Sequence, residues 1–248
     1  TVHTALYNYM PENFGWKEKI IHAISELPPV DRFLRERAKE IITQTRVKEY
    51  LKDGGSYLDV GTGKGHIIEL IENDLKNEGR QIKTASIDVG DKPLRRVQKR
   101  MGETRERESE KNPMDFMWAQ AENLPFRENS FDGVSFFFAL HHMSMQDIDK
   151  ALREAIRVTH EGENTRIFVA EDLVETAEQR SFTEEMDRKV NLEGKDEEHN
   201  YRSDKEWEDY FSSLGLKVVD RNFFESKYKG GVVKHGFYVL GKAGSQGD

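Results

Sequence analysis

The chain has 248 residues, 36% of them hydrophobic and 34% charged, with a net charge of -8 at pH 7 and no cysteine. That length supplies one substantial core without requiring a second. The missing cysteine excludes disulfides, thiolate metal sites and a cysteine nucleophile, and the acidic balance argues against a dedicated nucleic-acid binder.

No apolar run approaches the roughly 18 residues of a membrane span, and no basic-then-apolar N-terminal segment marks a secretory signal. A soluble, cytoplasmic protein is expected. Residues 1–50 read as a helical cap, with early aromatics at Tyr7, Tyr9, Phe14 and Trp16. Pro28-Pro29 is expected to interrupt it, and helical spacing resumes from Asp31 to Tyr50 through Phe33, Leu34, Ala38, Ile41, Ile42 and Val47. From Ser56 strands and helices alternate. Strands are expected at 56–60, 83–88, 115–119, 132–138 and 165–171, and helices at 64–76, 91–107 and 145–158. Short apolar strands alternating with helices imply an α/β fold, a parallel sheet covered on both faces.

The polar segment 175–202 shows no strand pattern and is expected to form a lid-like insertion in a domain spanning 51–241. An amphipathic helix follows at Ser203–Leu214, opened by Ser203-Asp204 and closed at Gly215. Segments 216–223 and 232–240, joined through Gly230-Gly231, read as a hairpin, and 242–248 as a flexible tail.

Gly61, Gly63 and Gly65 follow the first strand within "YLDVGTGKGH" and open a helix. Glycine permits positive φ and close approach of another molecule to the backbone. In an open parallel sheet, ligands bind beyond the carboxyl ends of the strands. The spacing Gly-x-Gly-x-Gly departs from the dinucleotide fingerprint Gly-x-Gly-x-x-Gly, which argues against a nicotinamide oxidoreductase. Lys64 is not followed by the Ser or Thr of a P-loop. Asp88, in Ile87-Asp88-Val89, closes the second strand. A carboxylate there can accept hydrogen bonds from both hydroxyls of a ribose, or open a turn before Gly90.

The stretches "LDVGTGKG", "SIDVG" and "AQAENLPFRENSFDGVSFFFALHHM" together resemble the class I S-adenosylmethionine-dependent methyltransferases. The resemblance points to the small-molecule branch that includes ubiquinone and menaquinone biosynthesis enzymes. It implies a Rossmann-like, seven-stranded, mostly parallel sheet with an antiparallel last strand. It also implies that Asp59 and the loop Gly61, Thr62, Gly63 and Gly65 surround the methionine part of S-adenosylmethionine. Asp88 would hold the ribose, Val89 would touch the cofactor beside it, and Gln120 and Ala121 would lie at the adenine. Many members have Gly-Asp-Ala where this chain has Ala119-Gln120-Ala121. The amide carbonyl of Gln120 can still accept a hydrogen bond. Phe137 and Phe138, at the end of an apolar run, would touch the cofactor.

His141-His142 follows at once. Adjacent histidines point in different directions on a regular backbone, so no metal site is expected. His141 is expected to face the methyl acceptor as a proton-accepting imidazole, or to cap the next helix. Candidates for contact with the acceptor are Tyr7, Trp16, His142, Glu171, Asp172, His199 and Tyr201. The expected reaction is in-line displacement on a sulfonium methyl, with a small molecule as acceptor. An RNA or protein methyltransferase remains an alternative, although no Asn/Asp-Pro-Pro-Tyr/Phe motif follows the fourth strand. So does a catalytically inactive partner subunit that retains cofactor binding.

Overall fold

The computed structural model describes residues 28–89, 115–162, 166–191 and 199–243. Tyr7, Tyr9, Phe14, Trp16, the expected helix 91–107 and residues 244–248 of the tail lie outside these described residues.

Seven strands form one sheet in the order β3-β2-β1-β4-β5-β7-β6. Strands β1 (Ser56–Val60), β2 (Lys83–Asp88), β3 (Asp115–Trp118), β4 (Gly133–Phe137) and β5 (Arg166–Leu173) run parallel. β7 (Gly231–Lys242) pairs antiparallel with β5 and with β6 (Leu216–Tyr228). The order reverses between β1 and β4, and the connections leaving their carboxyl ends diverge there. That is where an open α/β sheet leaves a crevice.

Alternation along each strand sends residues to two helical layers. On one face Leu58, Val60, Val134, Phe136, Ile167 and Val169 pack with α3 (Met145–Val158) and α5 (Asp204–Ser213) through Ile148, Ala151, Leu152, Trp207 and Phe211. On the other, Tyr57, Phe137, Phe168, Ala170 and Val239 pack with α1 (Pro28–Thr45) and α2 (His66–Asn77) through Ile41, Ile42, Ile68 and Ile71. Burial on both faces is why β4 reads as a continuous apolar run. Each such side chain taken from water contributes about 1.5–3 kcal/mol, which holds the sheet as a rigid floor.

The helix starts follow local chemistry. Ser144 caps α3, its side chain accepting from Asp147 N. Ser203 and Glu206 form a reciprocal capping box at α5.

Four expectations need correction. α1 begins at Pro28-Pro29 rather than at Asp31, since proline suits a first turn whose amides have no helical acceptor. Segment 175–202 contains a helix, α4 (Ala177–Asn191), whose buried side includes Thr183, Met186 and Asp187. Two polar side chains on that side hide the apolar period. β5 continues to Leu173, because Glu171, Asp172 and Leu173 gain ladder partners in Gly236, His235 and Lys234 of β7. β7 likewise runs through Gly241 and Lys242, opposite Lys217 and Leu216, so pairing with β6 orders the start of the expected tail.

Candidate functional site

At the end of β1 the chain turns through Gly61–Gly65 into α2. Gly61, Gly63 and Gly65 take φ of 73°, 53° and 69°, a region that side chains disfavour. Gly61 has a second reason to be glycine: a Cβ there would stand 2.6 Å from Ala139 Cβ. A Cβ on Gly63 would meet nothing within 4 Å, so its face is open to another molecule. Gly61 N donates to Ile87 O at 2.9 Å, and Gly63 N to Asp88 Oδ2 at 2.8 Å. The expected ribose carboxylate is therefore tied to the glycine loop.

Beneath the loop lies Asp59, 2% exposed, with Ser135 Oγ donating to its Oδ1 at 2.6 Å. Burial pushes its carboxyl up to about 6, and the Ser135 and Thr62 hydroxyls offset this only in part. A buried acid under an open loop of amides suits a ligand carrying a cation. S-adenosylmethionine, with its ammonium and sulfonium, fits these residues.

Val89 and Trp118, 60% and 62% exposed, stand together at the ends of β2 and β3, and Trp118 Nε1 donates to Val89 O at 2.9 Å. Exposed large apolar groups beside a crevice offer a surface for a flat ring. In the turn after β3, Gln120 is exposed and Ala121 buried. Phe137, expected at the cofactor, belongs instead to the core with Phe168 and Phe237, because its strand position points it to the α1–α2 layer. Phe138 leaves the sheet with φ 54° and packs edge-on against His235, ring centroids 5.3 Å apart. Its amide donates to Ala170 O at 2.8 Å, which fixes this uncommon conformation.

The next turn, Leu140–His142, is a short 3-10 helix held from below by Glu171. Glu171 Oε1 accepts from Ala139 N at 3.1 Å and Leu140 N at 2.7 Å, while Oε2 meets His141 Nδ1 at 2.5 Å. On its other side, His141 Nε2 lies 3.6 Å from Asp187 Oδ2 of α4. His141, expected to face the acceptor, is thus enclosed at 1% exposure, and Glu171 is buried beneath it rather than open at a rim. Burial opposes charge on His141, but the carboxylates of Glu171 and Asp187 outweigh it and raise its pKa well above the usual range.

His142 Nε2 and His199 Nε2 also approach Asp187 Oδ2, at 3.9 and 3.1 Å. The His141 and His142 rings are 4.1 Å apart at 42°. The tight turn makes these neighbours converge, against the expectation drawn from a regular backbone. Tyr201 stacks on both His141 and His199, at 5.0 and 5.4 Å. Burial opposes charge on Asp187 too, but the three imidazoles lower its pKa to about 2. His142 is lowered to about 3, by burial and then by His141.

Asp172, expected at the acceptor, is buried and meets His235 Nδ1 at 2.6 Å across the β5–β7 ladder. Burial opposes its charge, but His235 lowers its pKa below the ordinary carboxylate range. His235 Nε2 meets Ser226 Oγ at 2.8 Å. Arg37 of α1 donates to Tyr228 OH at 2.6 Å and lies 5.7 Å from the Phe138 ring.

The structure therefore gathers His141, His142, Glu171, His199 and Tyr201 in one place. Tyr7 and Trp16 lie outside the described residues. Sequence reasoning missed Asp187, Arg37, Tyr228 and His235. For Asp187 a signal existed: Thr176-x-x-Gln179 is a helix-opening pattern. Gln179 N donates to Thr176 Oγ1 at 3.2 Å, and Gln179 Oε1 accepts from Glu175 N and Thr176 N. A helix starting there puts Thr183 and Asp187 four residues apart on one face.

A family described as "Methyltransferase domain" matches residues 58–164. The ubiquinone/menaquinone biosynthesis C-methyltransferase UbiE of Rickettsia bellii (strain OSU 85-389) is 35% identical over 101 residues, covering 41% of this chain and 38% of that protein. The chain thus spans well under half the length of this relative. Among solved structures, YcgJ of Bacillus subtilis superposes with a TM-score of 0.61 at 16% identity, covering 84% of this chain and 100% of that one. Magnesium protoporphyrin IX methyltransferase of Synechocystis PCC 6803, solved with bound SAH, gives 0.57 at 10% identity, covering 96% and 94%. Among the described residues no helix is long and apolar enough to cross a membrane. With the sheet order and the glycine loop, the match over residues 58–164 shows that this part of the chain is similar to the class I S-adenosylmethionine-dependent methyltransferases.

Proposed function

We propose that the protein transfers a methyl group from S-adenosylmethionine to a small-molecule acceptor by in-line displacement. The observation that carries this reading is the Gly63 N to Asp88 Oδ2 bond at 2.8 Å, which joins an open glycine loop to a carboxylate at the next strand end. Asp59 and the loop hold the methionine part, Asp88 the ribose, and Val89, Trp118, Gln120 and Ala121 the adenine. When bound, the cofactor supplies an activated methyl on a good leaving group. The chain has then to align the acceptor and exclude water.

The acceptor lies over the turn after β4, where His142 retains solvent access, its side chain 30% exposed. His141 does not meet it directly; held by Glu171, it positions the turn. Phe138, packed on His235, supplies an apolar wall, and Arg37 with Tyr228 a polar edge. Glu171, Asp172 and Asp187 make this region acidic, and the net charge is -8, so a polyanion is disfavoured. The similarity to a quinone-pathway C-methyltransferase favours a small aromatic acceptor.

Calorimetry with S-adenosylmethionine, followed by labelled methyl transfer to a panel of phenols, quinols, amines and carboxylates, tests this reading. Binding of the cofactor and methylation of a panel member are expected. No cofactor binding overturns the enzyme assignment, and robust methylation of RNA or DNA overturns the small-molecule one.

A further inference from the structure

We infer that His141, His142 and Asp187 form a binding site for a first-row divalent transition cation, with His199 beside the Asp187 carboxylate. One donor atom from each of the first three lies within 4.8 Å of the others. Asp187 Oδ2 is 3.6, 3.9 and 3.1 Å from Nε2 of His141, His142 and His199. Donors bound tetrahedrally at about 2.0–2.1 Å stand about 3.3 Å apart, and the contacts to Asp187 Oδ2, at 3.6, 3.9 and 3.1 Å, bracket that spacing.

The His141 imidazole is also backed by a carboxylate. Glu171 Oε2 holds His141 Nδ1 at 2.5 Å and is itself fixed by two backbone amides. The Nδ1 proton is directed at Glu171, and a cation would displace the proton on Nε2, leaving that nitrogen facing Asp187 as a ligand. A carboxylate behind an imidazole in this way sets the tautomer that binds metals and raises its basicity. His141 Nε2 is buried and has no hydrogen-bond partner among the described residues; its distance to Asp187 is beyond hydrogen-bond length. Once Nε2 is deprotonated, the buried imidazole and the buried carboxylate facing each other across 3.6 Å offer a cation two ligand atoms.

The donor set indicates which ion. Imidazole nitrogens suit Zn²⁺, Fe²⁺, Co²⁺ or Ni²⁺, whereas Mg²⁺ and Ca²⁺ prefer oxygen. The partial exposure of His142 provides an entry path. No local spacing announces the set, because Asp187 comes 45 residues after His142 and arrives through the packing of α4.

The test uses the full chain, free of any histidine tag and stripped with a chelator. It is titrated with Co²⁺ followed by visible absorption, and with Zn²⁺ followed by calorimetry. One ion per chain is expected, with the d–d bands of a four- or five-coordinate site. His142→Gln and Asp187→Asn should each weaken binding at least 100-fold, and Glu171→Gln 10–100-fold, the range seen when an outer-shell partner is removed. His160→Gln should change nothing. His142 is partly exposed, so that variant should remain folded and decides the matter if Asp187→Asn does not. The inference is overturned if the folded wild type binds no Co²⁺, or if His142→Gln binds it as tightly. The same outcome then identifies the cluster as an internal charge network. Titration of the stripped protein with S-adenosylmethionine separates this result from the fate of the methyltransferase reading.

Discussion

Gly61 and Ala139 meet where the loop after β1 passes the turn after β4, so closely that a Cβ on Gly61 would lie 2.6 Å from Ala139 Cβ. The glycine loop and the histidine turn are thereby set against each other. Gly61→Ala adds that collision to a φ of 73° and should cost about 1–3 kcal/mol of stability. Thermal unfolding with and without S-adenosylmethionine measures it. A variant that melts with the wild type and gains as much from the ligand contradicts the close approach.

Asp88→Ala should weaken S-adenosylmethionine binding by about 1–3 kcal/mol, the usual consequence of leaving a buried partner unpaired. Gly63 N loses its acceptor as well, so loop order should fall with affinity. The fold should persist, since Asp88 is only partly buried at a strand end. Unchanged affinity by calorimetry removes Asp88 from the site.

Asp59 makes the protein sensitive to pH. Its folded carboxyl titrates at about 6, above the ordinary 3.8, so the folded state holds the proton more tightly than the unfolded chain. Its contribution to stability is complete below about pH 3.8 and is lost as pH rises through 6. Two pKa units correspond to about 3 kcal/mol. Asp59→Asn, which keeps an oxygen for Ser135 Oγ, should be more stable than the wild type at pH 8, and the advantage should vanish by about pH 4. S-adenosylmethionine affinity should fall in the wild type as pH drops through about 6, when the buried anion is neutralised, and be flat in the variant. Parallel melting curves across this range would refute the burial argument.

Trp118→Ala should reduce affinity for S-adenosylmethionine by about 1–2 kcal/mol, through loss of an apolar surface under a flat ring. At 62% exposure the residue contributes little to the core, so the melting temperature should hold. Competition with adenosine localises the effect: adenosine should lose as much as the full cofactor.

Ser203→Ala removes the capping box of α5 and should lower stability by about 1 kcal/mol. Trp207 and Phe211 of that helix are fully buried against the sheet, so fraying of its first turn would be transmitted there. Denaturant unfolding checks the value, and cofactor affinity is expected to stay the same.

Much of the fold was legible along the chain because its signals are local. β1 and β2 were expected at 56–60 and 83–88 and α3 at 145–158, and they occur there. A strand buried on both faces and a capped helix with one apolar stripe each reveal themselves within a few residues. The glycines declared their positive φ in the same way. α4 was not read, since Thr183 and Asp187 are buried on a helix whose apolar period is too sparse to see.

By itself the sequence determined the strands of the sheet, the glycine loop Gly61–Gly65 and an acid, Asp88, at the end of β2. These follow from rules that act over a few residues. Tertiary structure alone decided what surrounds the histidines. β5 had to pair with β7 before Asp172 met His235, and α4 had to dock before Asp187 came within 3.1 to 3.9 Å of His199, His141 and His142. The reason is physical: donor atoms converge in space from residues far apart in the chain. Electrostatics at a few ångströms depends on that convergence and carries no period along the sequence.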